Sequence, residues 1–213
     1  VAPENLALLT NDQATARNIR SALITFLRRA EPEDVITVFF AAQSATDPDR
    51  ASEVYLLPYD VDLDHLPETG FPVRHLFHAL DQAYAYQKIL LADLSHTRWI
   101  QHEERRGLLP TPVNQQLLNG AAYVGPRYVA LTASEPGQPS FESKRWGGGH
   151  GAFAHYVIQG LQGAADEDHD GLVRLGELIA FTRERVRLAT DGDQLPTPSL
   201  APFDASWVMA GSR

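Results

Sequence analysis

Two stretches of this chain bring together residue types that could do chemistry. The run Asp166-Glu-Asp-His-Asp-Gly-Leu-Val-Arg-Leu-Gly-Glu177 sets carboxylates at positions 1, 3, 5 and 12 of a twelve-residue loop, glycine at 6 and an apolar residue at 8. A hard cation such as calcium wants six to eight oxygens. Asp166, Asp168 and Asp170 can give one each, Leu172 a backbone carbonyl and Glu177 two, while Gly171 permits the bend. The same residues also read as an acidic turn before a helix that starts near Leu175, with Glu177 in its first turn where the helix dipole favours a negative charge. The second stretch is Ser95-His96, a hydroxyl beside an imidazole at the end of an apolar run. A serine hydrolase would need His96, His75 or His78 as its base. Adjacent residues leaving a strand point in different directions, so His96 is poorly placed for that bond.

The elements that position these residues follow from apolar periodicity. Asn5–Thr10 reads as a short strand, and Thr15–Ala30 as a helix with Ile19, Leu23, Phe26 and Leu27 on one face. Asp34–Ala42 is β-branched and aromatic without polar alternation, which predicts a central strand buried on both faces. Val54–Leu57 is a brief strand, Pro58–Gly70 a long loop, and Pro72 opens a helix carrying Val73, Leu76, Phe77 and Leu80. Lys88–Asp93 and Tyr128–Thr132 are further buried strands, with a weak helix over Val113–Leu118 between them. A Gly/Pro/Ser-rich stretch to Gly151 suggests a mobile lid, with Trp146 inside it. Helices over about 152–161 and 175–189 and a last strand over 206–210 complete the chain. Recurring strand–helix–strand predicts a mostly parallel α/β sheet in one domain, 1–213.

Composition narrows the function classes. The 213 residues are 44% hydrophobic and 21% charged, as expected of a folded globular body. The net charge of −9 and the lack of a basic cluster argue against a nucleic-acid partner. No apolar run approaches the roughly 18 residues of a membrane span, and no signal-peptide pattern opens the chain, which points to the cytoplasm. Cysteine is absent, so disulfides, thiolate metal sites and a cysteine nucleophile are excluded.

The order of elements and several strings resemble the caspase/metacaspase superfamily, in particular bacterial caspase-like proteins, over nearly the whole chain. The family's histidine string Phe-Ala-Gly-His-Gly falls on Phe40-Ala41-Ala42-Gln43-Ser44, and its cysteine string Asp-Ala-Cys-His-Ser on Asp93-Leu94-Ser95-His96-Thr97. Gln43 and Ser95 stand 52 residues apart, against about 50 for the histidine and cysteine of caspases. Tyr55–Asp60, Leu131–Ser134, Gly149–Phe153 and Gly160-Leu161 are similar to further family strings. The resemblance implies a caspase-type three-layer α/β sandwich, with the dyad-bearing part over about 1–110 and a C-terminal part over about 111–213. It also implies that the family's first strand and helix are missing here.

On this resemblance both dyad positions are degenerate, Gln43 for histidine and Ser95 for cysteine. An amide shuttles no proton, and an unassisted serine hydroxyl stays protonated and weakly nucleophilic. The implied function is a catalytically inactive pseudopeptidase: a regulatory, scaffold or binding module for a peptide, a protein or an active homologue, with a dimer allowed. Asp93 and Ser134 are the implied substrate-binding positions, Asp93 receiving a basic side chain; its competing reading is a turn cap at a strand end. No cofactor is required beyond the calcium that Asp166, Asp168, Asp170, Leu172 and Glu177 could hold. The alternatives are a hydrolase using Ser95, or a caspase-like endopeptidase cleaving after basic residues whose dyad was replaced by experiment. Ala42, Ser44, Leu94 and Thr97 also depart from the family, which argues against deliberate replacement.

Overall fold

A computed structural model describes residues 1–47, 49–50, 52–95 and 113–211, with Ser95 described by its backbone alone. Helix α1 (Ala16–Ser21) continues through irregular helical turns to Arg29, capped by the Thr15 side chain accepting from the Asn18 N–H. Strand β1 (Val35–Thr46) and strand β2 (Val54–Leu57) lead to the one-turn helix α2 (Leu66–Thr69) and the two-residue strand β3 (Phe71–Pro72). Helix α3 (Val73–Asp81), strand β4 (Gln87–Ser95), helices α4 (Val113–Leu118) and α5 (Ala121–Val124) and strand β5 (Tyr128–Thr132) come next. The chain then forms helix α6 (Ala152–Gln159), strand β6 (Leu172–Arg174), helix α7 (Leu175–Ala189), strand β7 (Thr197–Pro198) and strand β8 (Val208–Gly211).

The six-stranded sheet runs β3-β2-β1-β4-β5-β7. β1, β4 and β5 are parallel, while β2 and β7 pair antiparallel at the flanks. Strand alternation sorts the core into two layers. Ile36, Leu90, Ala92, Leu94, Tyr128 and Ala130 pack on α1, α3 and α4, while Ile89, Leu91, Val129 and Leu131 pack on α6 and α7 through Phe153, Val157, Leu175 and Val186. The result is the expected α/β three-layer sandwich with a mostly parallel central sheet. No helix among the described residues is long and apolar enough to cross a membrane.

Four expectations are corrected. Asn5–Thr10 is not a strand: Pro3–Asn5 is a single tight turn, and Leu6 and Leu8 stand 63% and 70% exposed with no strand beside them among the described residues. β1 is not buried on both faces. Helices α6 and α7 cover the side of β4 and β5 that they share with β1 but leave Val35 and Phe39 of β1 43% and 45% exposed. The last strand, read from the sequence as 206–210, runs over Val208–Gly211 and pairs with β6 in a separate two-stranded sheet. Trp146 is buried at 4% exposure in the α6–α7 layer rather than carried by a loose lid, and Arg145 stacks over its ring while donating to the Ala189 carbonyl at 2.8 Å.

β2 pairs with β1 only from Gln43 to Thr46, so the side of β1 facing away from β4 has no strand beside Val35–Ala42 among the described residues.

Candidate functional site

The parallel ladder of β1 and β4 pairs Ala41 with Asp93 and Gln43 with Ser95. Neighbouring strands lie about 4.8 Å apart, so the two positions picked out 52 residues apart in sequence are adjacent at the same end of the sheet. Gln43 is half-buried. His96, the nearest imidazole in sequence, lies outside the described residues. His75, on α3, packs edge-on against Phe71 of β3, the edge strand that β2 and β1 separate from β4. His78 lines a separate cleft of about 540 Å³ with Glu53, Arg74, Asp81 and Tyr123.

Asp93 is 8% exposed and both of its oxygens are engaged. The Ser140 hydroxyl donates to Oδ1 at 2.7 Å, and the Ala154 N–H, in the first turn of α6, donates to Oδ2 at 3.3 Å. The carboxylate therefore joins a strand end to a helix start and to the loop between β5 and α6. Its oxygens lie so close to Gly151 that a Cβ there would stand 2.2 Å from Oδ2. Burial raises the Asp93 carboxyl above its ordinary value, opposed by the Ser140 and Ala154 hydrogen bonds, with the Glu142 charge adding to the rise.

That rise fixes a sign. With the folded pKa above the unfolded 3.8, protonated Asp93 favours the fold; this contribution is complete below the unfolded value and is lost as pH rises through the folded one. Asp93→Asn carries no such titration. Urea unfolding of both proteins from acid to neutral pH should show the wild type losing stability relative to the variant as pH rises. Parallel profiles would remove the buried charge from the account.

Ser134 is wholly buried and belongs to a neighbouring network. Asn114 Nδ2 donates to its carbonyl at 2.9 Å and its hydroxyl at 3.1 Å, and the Ser134 hydroxyl donates to the Gln138 carbonyl at 3.1 Å. Sequence reading missed Gln194, also wholly buried. It accepts from the Phe141 N–H at 2.9 Å and donates to the Ala133 carbonyl at 2.8 Å, so it ties the turn after α7 to the same loop. Only its polarity near Pro196 and Pro198 was visible in sequence, and that reads as an ordinary turn.

In the acidic loop, oxygens of Asp166, Asp168 and Glu177 come within 4.8 Å of one another. Gly171 takes φ +86° and Leu172 enters β6, as the bend requires. The carboxylates also serve the loop's own backbone: Asp166 accepts from Gly171 N–H, Asp170 from Leu172 N–H, and Glu177 from both Glu167 and Arg174 N–H. Arg174 lies across the cluster, bonded to Asp170 at 2.5 Å and within 3.7 Å of Asp168 and 4.0 Å of Glu177. It depresses the Asp170 carboxyl through that bond. Hard oxygen donors fit a calcium ion, while Asp170 is held by an internal cation.

No family model and no curated protein matches the chain. Among solved structures, the crystal structure of protein GSU0716 from Geobacter sulfurreducens is similar, with a TM-score of 0.59 at 10% identity, covering 97% of this chain and 83% of that one. The likeness is one of fold alone.

Proposed function

We propose that this chain is a caspase-like pseudopeptidase, a non-catalytic module that binds or regulates a peptide, a protein or an active homologue. The observation that carries the reading is the register of β1 on β4, which sets Gln43 against Ser95 where the family resemblance expects an imidazole beside a thiolate. An amide next to a hydroxyl offers neither a proton shuttle nor a thiolate. The rival hydrolase gains no support from His75, whose ring packs against Phe71 of the edge strand β3, with β2 and β1 between that strand and β4. Asp93 and Ser134 act in this reading as buried supports of the strand ends, since their polar atoms are engaged within the fold. The test is hydrolysis of Arg-, Lys- and Asp-terminated reporter peptides by the wild type and Ser95→Ala, with and without calcium. No turnover by either is expected; turnover lost in Ser95→Ala would overturn the reading.

For the acidic loop the proposed ligand is calcium, supported by the convergence of Asp166, Asp168 and Glu177 and opposed by Arg174. A bound ion must release Asp170 from the guanidinium, so calcium should raise the Tm of Arg174→Ala more than that of the wild type, and magnesium should do less in both. A Tm indifferent to calcium in both proteins would leave the loop as the acidic start of α7.

A further inference from the structure

We propose that the pocket at the starts of β4 and β5 binds the carboxylate of a small aromatic acid. The pocket, of about 240 Å³, is walled by Tyr86 and Gln87, by the turn before β5 at Arg127, and by the turn before β8 at Phe203, Asp204 and Trp207. β1 supplies none of its lining. Gln87 is 3% exposed, and its side-chain nitrogen Nε2 is buried with no hydrogen-bond partner among the described residues. The indole nitrogen of Trp207 is buried and unpartnered in the same way. Buried donors are nearly always paired, because stripping them of water without giving them an acceptor is costly. Two of them at one pocket mark a place where an acceptor belongs.

Arg127 supplies the charge. Its guanidinium lies 3.7 Å from the centre of the Tyr86 ring, and Tyr86 in turn stands 5.2 Å from the Trp207 ring at a 34° tilt. Stacking occupies the face of the guanidinium and leaves its N–H groups pointing out from the edge, the geometry that receives a carboxylate. Gln87 meets the same anion by a turn of its terminal torsion, which is soft in glutamine. The indole of Trp207 donates and does not accept, so it too calls for an acceptor. The body of the ligand follows from the walls, because Tyr86, Phe203 and Trp207 offer ring surface to a flat apolar group. Asp204, exposed at the rim, limits the ligand to one negative charge. It accepts from the Ser206 hydroxyl at 2.6 Å and N–H at 2.9 Å, and these bonds hold its carboxyl below the ordinary value. Gln87 opens β4 and Ser95 ends it, about 26 Å apart, so this site and the Gln43–Ser95 end are separate and either proposal can fail alone.

The experiment is titration calorimetry with 3-phenylpropionate and with 3-phenylpropanol, which keeps the ring and replaces the carboxylate by a hydroxyl. The wild type should bind the acid saturably, and the alcohol about tenfold more weakly or worse. Gln87→Leu keeps the volume and removes the buried donor. It should weaken binding of the acid about tenfold while leaving the Tm unchanged or higher, since no bond within the fold is lost. Arg127→Gln, at an exposed position, should weaken the acid by a similar factor and spare the core. Absence of saturable binding by the wild type would overturn the proposal, as would equal affinity for acid and alcohol or an affinity that survives both substitutions. A Tm that falls by several degrees in Gln87→Leu would show that the amide already serves the fold, and would overturn it as well.

Discussion

Gly151→Ala should lower stability to urea unfolding by about 3 kcal/mol, a large effect for a single methyl group. The backbone is not the cause, because Gly151 sits at φ −64°, where alanine is at ease. The cost is steric and electrostatic together. The new Cβ would lie 2.2 Å from Oδ2 and 3.0 Å from Cγ of a buried carboxylate that has nowhere to retreat. Moving Asp93 breaks its bonds to Ser140 and Ala154 and uncaps α6. Gly137→Ala is the contrast: at φ +87° with open space around it, it meets only the left-handed backbone penalty of about 1–2 kcal/mol. Equal losses in the two variants would mean that the Asp93 contact does not govern position 151.

The two strands that end at Gln43 and Ser95 were legible as long apolar runs, whereas the two positions themselves were picked out by the family resemblance, and their register became visible only in the sheet. β5 and α7 were legible from pattern: Tyr128–Thr132 is a short run around apolar Val129, Ala130 and Leu131, and Leu175–Ala189 keeps a helical stripe through Leu178, Ile179, Thr182 and Val186. What stayed hidden depends on partners rather than pattern. Asn5–Thr10 has the residues of a strand, yet a strand needs a neighbour, and Leu6 and Leu8 face solvent. The face of β1 reads as buried because its composition is that of a core strand, while burial there would require cover that α6 and α7 do not extend to it. The polar supports of the candidate site were invisible for a related reason. Ser140, Asn114 and Gln194 come from loop, helix and turn, and each finds its partner 20 to 61 residues away.

Gln194 gives the last of the expected results. Gln194→Leu preserves the volume but removes both halves of a bridge, leaving the part-buried Phe141 N–H and the buried Ala133 carbonyl without the amide that served them. At about 1–3 kcal/mol for each stranded group, the loss should be near 4 kcal/mol in urea unfolding. The same side chain stands 3.5 Å from the Ser140 hydroxyl that donates to Asp93, so the turn after α7 and the end of β4 share one network. A double-mutant cycle of Gln194→Leu with Asp93→Ala should therefore be non-additive, the second change costing less once the first has freed the loop. Strict additivity, or a loss below about 1 kcal/mol for Gln194→Leu, would show that the loop from Ala133 to Gly151 is held by its apolar anchor Trp146 instead.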